Sequence, residues 1–263
     1  MPRLAVLGQP VSHSRSPAMH TAALAELGLS PEWTYEAIEV APDGFERLVR
    51  SLPGEGFAGV NVTVPHKLAA LALADDAGAA ARAIGAANTL SFRDGRIEAE
   101  NTDAFGITAA LPRSPAGARA LVLGAGGSAR AVIWALREGG AQVSVWNRTG
   151  ERARAVAEEL EVAHSDAPEI ADFELLVNAT TIGMAARSFK PLPIGADDMS
   201  VSQTVVDLAY SSEETPLIAA ARAAGATTVD GLEILVRQGA ASLELWTGRP
   251  APIATMRHAA RRA

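Results

Sequence analysis

The sequence of 263 residues lacks one residue type entirely and is poor in two others. It has no cysteine, which excludes disulfide bridges, thiolate metal sites and a cysteine nucleophile. It has two lysines against 21 arginines, and only five asparagines. The net charge is −7, so nothing in the composition favours binding to nucleic acid or to an anionic membrane surface.

Long uncharged apolar stretches are also lacking. No run of about 18 or more such residues occurs, so we expect no membrane-spanning helix. The first eight residues lead directly into a strand-like segment and lack the regions of a signal peptide. We therefore expect a cytoplasmic protein without a nucleic-acid or membrane partner. Since 48% of the residues are apolar and 20% are charged, the chain has the composition of a folded globular protein.

The scarcity of lysine draws attention to Lys67. Where a generic cation is sufficient, this chain uses arginine. A lysine can be tuned to exchange a proton near neutral pH, whereas an arginine stays charged. We therefore interpret Lys67 as a position that requires a titratable amine. The same scarcity marks the asparagines, all of which fall in the motifs described below, namely Asn61, Asn88, Asn101, Asn147 and Asn178.

The order of the apolar patterns predicts an α/β protein with two parts. Before residue 111, short strands alternate with helices, including alanine-rich helices over Leu68–Ala83 and a hairpin at Asp94-Gly95. Prolines at 112 and 115 then interrupt the pattern. From Ala118 onward, strands and helices alternate in the manner of a parallel sheet with crossover helices.

A glycine-rich turn lies between the first strand and the first helix of this second part. Gly124-Ala125-Gly126-Gly127-Ser128-Ala129 matches the dinucleotide-binding pattern G-x-G-x-x-G/A. The pattern alone is weak, but here an apolar strand precedes it and an apolar helix follows it, which is the required context. Backbone N–H groups at the helix start would hold the pyrophosphate.

The end of the next strand indicates which dinucleotide binds. Asn147-Arg148-Thr149 lies where an NAD site carries an acidic residue for the ribose hydroxyl, and Arg152 and Arg154 follow. A 2′-phosphate requires guanidinium and hydroxyl donors, and a carboxylate would repel it. We therefore predict NADP as the cofactor. The alternative is that Arg148 is a solvated arginine at a strand end.

Three polar clusters in the first part have a less obvious structural purpose. In residues 8–20, Ser14 and Ser16 surround a helix start, with Ser16 as the expected N-cap, and would form a carboxylate site. In Asn61-Val62-Thr63-Val64-Pro65-His66-Lys67, Asn61 and Thr63 share one face of a strand and Lys67 opens the next helix. Residues 85–89 and 100–103 are brought together by the hairpin.

Each cluster also has a simpler interpretation. Ser16 could cap its helix and do nothing else, and Lys67 could be a solvated surface lysine. Asn88 could be a turn residue, and Asp103 an acid in the first turn of a helix. Jointly, however, the clusters supply hydroxyls, amides, a carboxylate and one amine, which suits a small polyol acid. Lys67 and Asp103 make a plausible acid–base pair.

With these motifs in this order, the sequence resembles the shikimate dehydrogenase family over essentially its whole length. The N-V-T-x-P-x-K and S-x-S-P motifs are specific to that family and its quinate-using relatives. Further matching segments are Asn178-Ala179-Thr180, Asp207-Leu208-Ala209-Tyr210, residues 230–240 and Glu244-Leu245-Trp246-Thr247-Gly248.

The resemblance implies a role for each matched residue. Lys67 would be catalytic with Asp103, and no metal is implied. Substrate would be bound by Ser14, Ser16, Thr63, Lys67, Asn88, Asp103, Tyr210 and Gln238. The cofactor would be bound by Gly124, Ala125, Gly126, Gly127, Ser128, Asn147, Arg148, Thr149, Arg152, Leu208 and Gly231.

The resemblance also implies an architecture and a reaction. We expect a discontinuous α/β substrate-binding domain of residues 1–103 and 232–263, and a Rossmann-type, doubly wound NADP-binding domain of residues 104–231, with ligands between them. The reaction would be the reversible NADPH-dependent reduction of 3-dehydroshikimate to shikimate by a monomer or homodimer. One alternative is a quinate/shikimate dehydrogenase with relaxed substrate or cofactor preference. Another is a regulator that binds NADP without catalysis.

Overall fold

The computed structural model describes residues 1–184, 188–211 and 213–263, and the chain divides into two compact units. The first contains Met1–Gly106 and Leu235–Ala263, and the second contains Ile107–Ile234. In the part of the chain that is described, no helix is long and apolar enough to cross a membrane. No group of three or more histidine, aspartate or glutamate residues suited to a metal ion occurs there either.

A mixed six-stranded sheet forms the centre of the first unit, in the order β2-β1-β3-β5-β6-β4. The strands and helices up to the start of the second unit are β1 Arg3–Gly8, α1 Ser16–Glu26, β2 Thr34–Glu39, α2 Phe45–Ser51, β3 Phe57–Val62, α3 Lys67–Leu73, β4 Asp76–Ala77, α4 Ala79–Ile84, β5 Thr89–Arg93, β6 Arg96–Glu100 and α5 Asp103–Ala110.

Alternation along β1 builds a core on both faces of this sheet. Leu4 and Val6 pack in a cluster with Met19 of α1, and Ala5 and Leu7 pack in a second cluster with Phe45 of α2. The predicted hairpin is confirmed, because β5 and β6 pair antiparallel around Asp94 and Gly95, both at positive φ.

The region predicted as alanine-rich helices over Leu68–Ala83 was only partly right. The structure has α3 and α4 there, but β4 separates them and pairs with β6 in parallel. A two-residue edge strand carries no periodicity that a local pattern could show. Gly78 follows β4 and leaves room for the carboxylate of Glu100, which its Cβ would otherwise overlap.

The second unit has a fully parallel six-stranded sheet in the order β12-β11-β10-β7-β8-β9, with crossover helices, which confirms the predicted doubly wound fold. Its elements are β7 Arg119–Leu123, α6 Gly127–Glu138, β8 Gln142–Trp146, α7 Gly150–Glu159, β9 Ala163–His164, β10 Leu175–Asn178, β11 Thr204–Asp207, α8 Pro216–Ala223 and β12 Thr227–Val229. The central strands β10 and β11 are buried throughout, as expected for strands covered on both faces.

Two helices end the chain, α9 Gly231–Thr247 and α10 Ile253–Arg262. From Leu235 onward they belong to the first unit, where Val236, Leu243 and Met256 join the cluster around Leu4 and Val6. The indole N–H of Trp246 donates to the carbonyl of Leu90 at 3.2 Å, which ties α9 to the sheet. These contacts attach the two C-terminal helices to the core of the first unit.

Candidate active site

Lys67 and Asp103 form a short ion pair within the first unit. The Nζ of Lys67 lies 2.5 Å from Oδ2 of Asp103, and the two side chains are only 9% and 14% exposed. Each is the first residue of its helix, α3 and α5 respectively. Because few water molecules reach the pair, the attraction between the charges is stronger than it would be on the surface.

Asn88 holds the carboxylate of Asp103 from the other side. Its Nδ2 donates to Oδ1 of Asp103 at 2.9 Å and also faces Oε1 of Gln238 at 3.0 Å and Oγ1 of Thr102 at 2.9 Å. Its Oδ1 accepts the backbone N–H of Thr102 at 2.7 Å. The amide of Asn88 has only two N–H bonds for these three acceptors. At least one acceptor can therefore receive a hydrogen bond from a substrate hydroxyl.

A second buried layer lies behind Asn88. Asn61 accepts from the hydroxyl of Tyr35 at 2.8 Å, and its Nδ2 donates to Ser242 at 3.0 Å and Thr89 at 3.2 Å. These bonds join β2, β3, β5 and α9 next to Asn88, whose carbonyl also accepts from Nδ2 of Asn61 at 3.3 Å. The sequence did not single out Tyr35 or Ser242, although Ser242 stands one helical turn after Gln238 and so shares its face of α9.

Three further predicted substrate residues, Ser14, Ser16 and Thr63, lie in loops or at a helix start of the first unit. Thr63 follows β3, and its side chain packs against the backbone of Gly8, where a Cβ atom would overlap it. Ser14 and Ser16 stand at the start of α1, and Ser14 Oγ accepts the N–H of Ser16 at 3.3 Å. The expectation that Ser16 caps the helix was wrong, because Ser16 is the first helical residue and makes no capping bond.

His20 lies behind this serine loop and is completely buried. Its ring stacks on Tyr35 at 4.1 Å, and its nitrogens face the carbonyl oxygens of Ser16 at 2.9 Å and Gly239 at 3.3 Å. Burial lowers the pKa of His20 to about 4, although both carbonyl contacts favour the charged ring. The histidine is therefore neutral at physiological pH and helps to fix α1 against α9.

The glycine turn of the second unit has the backbone geometry expected of a phosphate site. Gly124 follows β7 with φ of 122°, a conformation that other residues rarely adopt. A Cβ atom on Gly124 would lie 3.1 Å from the carbonyl oxygen of Ala179, whereas one on Gly126 would meet no atom within 4 Å. The turn is thus packed on its inner side and open at Gly126, next to the start of α6 at Gly127. Ala129 is fully buried, which allows α6 to lie close to the sheet.

The arginines after β8 fall into two kinds. Arg154 is engaged by Asp166, with its guanidinium 2.6 Å from the carboxylate. Arg148 and Arg152 are exposed, and nothing in residues 1–184, 188–211 and 213–263 forms a side-chain hydrogen bond or ion pair with them. Asn147 donates to the carbonyl of Thr149 at 3.0 Å and so shapes this loop. Two guanidinium groups therefore remain available for a phosphate.

The remaining predicted residues lie after β11 and at the start of α9. A Cβ atom on Gly231 would lie 2.6 Å from the carbonyl oxygens of both Leu208 and Ala209, so only glycine permits this approach. Leu208 donates its N–H to the carbonyl of Asn178 at 2.9 Å, which continues the pairing of β10 and β11. Tyr210 follows in the same loop of the second unit.

The first unit thus holds a buried amine and carboxylate surrounded by amides and hydroxyls. The second holds a doubly wound sheet with an open glycine turn and exposed arginines. An acid–base pair and a dinucleotide fold are the parts of a nicotinamide-dependent oxidoreductase.

Comparison with known proteins gives the family. Residues 6–90 match the model of the shikimate dehydrogenase substrate binding domain, residues 109–235 match shikimate / quinate 5-dehydrogenase, and residues 231–261 match the shikimate 5′-dehydrogenase C-terminal domain. The chain belongs to the shikimate dehydrogenase family.

Individual relatives agree over nearly the whole length. The shikimate dehydrogenase (NADP(+)) of Methanopyrus kandleri is 43% identical, with 97% of this chain and 93% of that protein covered. The crystal structure of a Thermus thermophilus shikimate 5-dehydrogenase with NADP(H) and shikimate is 42% identical, has a TM-score of 0.92 and covers 100% of this chain and 99% of that one. The ligand-free 5-ketofructose reductase of a Gluconobacter strain is also similar, at 30% identity, a TM-score of 0.87 and coverage of 99% and 98%.

Replacement of His20 by glutamine should flatten the loss of stability in acid. The folded protein holds this histidine neutral with a pKa of about 4, whereas the unfolded chain protonates it near 6.5. Its contribution is therefore present above pH 6.5 and is lost as the pH falls towards 4. Between about pH 7.5 and 5, the free energy of unfolding of the wild type should fall by about 2 kcal/mol more than that of His20→Gln.

Urea unfolding at the two pH values, followed by tryptophan fluorescence, measures this difference. The absolute stabilities of the two proteins need not agree, because only the change with pH is compared. Equal pH dependence in the two proteins would show that folding does not lower the pKa of this histidine.

Proposed function

We propose that this chain catalyses the reversible reduction of 3-dehydroshikimate by NADPH to shikimate, a step of aromatic amino acid biosynthesis. The family assignment and the names of the relatives support the reaction. The observation that carries the assignment of the site is the buried pair of Lys67 and Asp103, with Asp103 held by Asn88. A polar pair of this kind in a largely apolar unit suits proton transfer to one small substrate.

The reaction adds a hydride to the ketone carbon and a proton to its oxygen. NADPH, when bound, supplies the hydride. The pair of Lys67 and Asp103 supplies the proton, and in the reverse direction accepts it from the substrate hydroxyl. The bond between Nζ and Oδ2 would let the carboxylate stabilise the charged amine while the amine contacts the reacting oxygen of a bound substrate.

The remaining substrate contacts follow from the same arrangement. Ser16, in the first turn of α1, and Ser14, just before it, would bind the carboxylate of the substrate, with Tyr210 contributing. Thr63, Asn88, Asp103 and Gln238 would bind its hydroxyls. Asn88 suits this role because it already bonds Asp103, Thr102 and Gln238, so the receiving groups are oriented before the substrate arrives.

The second unit would hold the cofactor at two places. The pyrophosphate would lie at the turn formed by Gly124, Ala125, Gly126, Gly127 and Ser128. The adenosine 2′-phosphate would lie among Asn147, Arg148, Thr149 and Arg152. The nicotinamide end would lie near Leu208 and Gly231. The open side of the turn at Gly126 and the exposed guanidinium groups of Arg148 and Arg152 favour this placement.

In domain terms, residues 1–103 with 232–263 would bind substrate and residues 104–231 would bind NADP. The two compact units have boundaries within a few residues of these and support the assignment. The charge of −7 supports the prediction that nucleic acid is not a partner. A cytoplasmic location and a monomeric or homodimeric state stay predictions.

A quinate/shikimate dehydrogenase with relaxed preference is the alternative that the family leaves open. The similarity to a 5-ketofructose reductase shows that the fold also occurs in an enzyme named for another ketone. Initial rates on shikimate and quinate, each with NADP and NAD, decide between the two. A marked preference for shikimate with NADP supports the proposal, and comparable rates with quinate or NAD support the alternative. Binding of NADPH without turnover would indicate a regulator.

Replacement of Lys67 by alanine should lower kcat by about 10²- to 10⁴-fold, because it removes a group that takes part in proton transfer. The measurement is the absorbance of NADPH formed from shikimate and NADP. Lys190→Ala is the matched control, because Lys190 is the chain's other lysine and is exposed in the second unit. A Lys67→Ala protein that binds shikimate normally and turns over at the wild-type rate would contradict the catalytic role.

Replacement of Arg148 by glutamine should raise the KM for NADP by about 10- to 100-fold, the loss expected for one charged hydrogen bond. The KM for NAD should hardly change, because NAD lacks the 2′-phosphate. Arg154→Gln is the control, since Arg154 is already paired with Asp166 and should not affect cofactor preference. Equal effects of Arg148→Gln on both cofactors would argue against a 2′-phosphate at this position.

A further inference from the structure

Asp207 is a fully buried carboxylate that the proposed chemistry does not use. It is the last residue of β11 and has no exposed surface. Burial raises its pKa to about 6, while hydrogen bonds from Thr215, Ala209 and Asn178 oppose that effect. Burying a carboxylate is unfavourable unless its oxygens are bonded, so a group kept here needs a reason beyond packing.

Three hydrogen bonds converge on Asp207, and every partner is a donor. Oδ1 accepts from Nδ2 of Asn178 at 2.7 Å and from the N–H of Ala209 at 3.0 Å. Oδ2 accepts from the hydroxyl of Thr215 at 2.6 Å. A carboxylate only accepts, whereas an amide of the same shape would turn an N–H towards one of these donors. The donors therefore favour the ionised form of Asp207, against the effect of its burial.

The three donors come from three different segments. Asn178 ends β10 and stands opposite Asp207 in the register of the sheet. Ala209 lies in the loop after β11. Thr215 caps α8, where its Oγ1 also accepts the N–H of Ile218. One carboxylate thus fixes two loops and a helix start at the carboxyl edge of the parallel strands, the edge at which such folds bind ligands.

Both loops contact residues that are assigned to cofactor binding. Oδ1 of Asn178 accepts from the N–H and hydroxyl of Thr180 at 3.1 and 2.7 Å, which places Thr180 and Ala179 against the turn at Gly124. The carbonyl oxygens of Leu208 and Ala209 face Gly231 with no room for a side chain. Movement of Asp207 would therefore be transmitted to the pyrophosphate turn and to the nicotinamide end.

We propose that Asp207 is a positioning residue for the pyrophosphate and nicotinamide portions of the cofactor, acting through Ala209 and through Asn178 and Thr180. The inference rests on the proposed function, because Leu208 and Gly231 are assigned to the nicotinamide end there. Asp207 itself touches neither substrate nor cofactor in this scheme. The adenosine end, held by the loop after β8, does not depend on it.

The test compares binding of the whole cofactor with binding of a ligand that occupies only its adenosine end. Asp207→Asn should weaken binding of NADPH by at least about tenfold and lower kcat by a similar factor, because the amide N–H disturbs the donors. Binding of adenosine 2′-monophosphate, which lacks both the pyrophosphate and the nicotinamide half, should stay within about twofold of the wild type. Asp198→Asn is the control, since Asp198 accepts the N–H of Gly195 but is exposed elsewhere in the second unit. Titration of protein fluorescence gives both affinities.

A second variant keeps the test valid if Asp207→Asn does not fold. Thr215→Val removes one donor and leaves the carboxylate in place, so the same pattern should appear with a smaller loss, about threefold for NADPH and none for the monophosphate. Unchanged NADPH affinity and kcat in the folded variants would overturn the inference. Equal weakening of both ligands would also overturn it, since it would indicate a purely structural role. Failure of the wild type to bind the monophosphate would instead overturn the proposed NADP site.

Discussion

The ion pair between Lys67 and Asp103 is the interaction on which the polar arrangement of the first unit depends. Each charge would be strongly disfavoured in this environment without the other. Removing one partner of a buried ion pair usually destabilises a protein strongly, because the remaining charge is left buried and unpaired. Asn88 completes the pair by donating to the second carboxylate oxygen. The layer of Tyr35, Asn61 and Ser242 in turn fixes the segment that carries Asn88.

The second unit also buries an acidic side chain, but there hydrogen bonds rather than an ion pair stabilise it. Asp207 is stabilised by donors from Asn178, Ala209 and Thr215. In both units the buried charged group lies at the end of a strand or the start of a helix. The backbone changes direction there, and side-chain hydrogen bonds hold the adjoining loop in place. Rigid hydrogen-bonded loops allow groups to be in place before a ligand binds, which is how positioning assists a reaction.

Much of this could be predicted from local patterns in the sequence. The glycine turn, the parallel sheet and the hairpin each depend on residues that are close in the chain. Lys67 could be recognised because lysine is so rare here. The bonds of Asn178 to Asp207 and of Tyr35 to Asn61 could not be predicted, since they depend on strand register and on contacts between distant residues. The short strand β4 was missed because two residues carry no periodicity, and Ser16 was misjudged because the helix begins one residue earlier than a capping serine would require.

The most direct test of the central claim is a double-mutant cycle on kcat/KM for Lys67→Ala, Asp103→Ala and the double variant, all with shikimate and NADP. If the two residues act as one unit, the double variant should be no worse than the more damaged of the single variants. If the separate losses instead multiply, the two side chains contribute independently, and the account of a coupled acid–base pair would be contradicted.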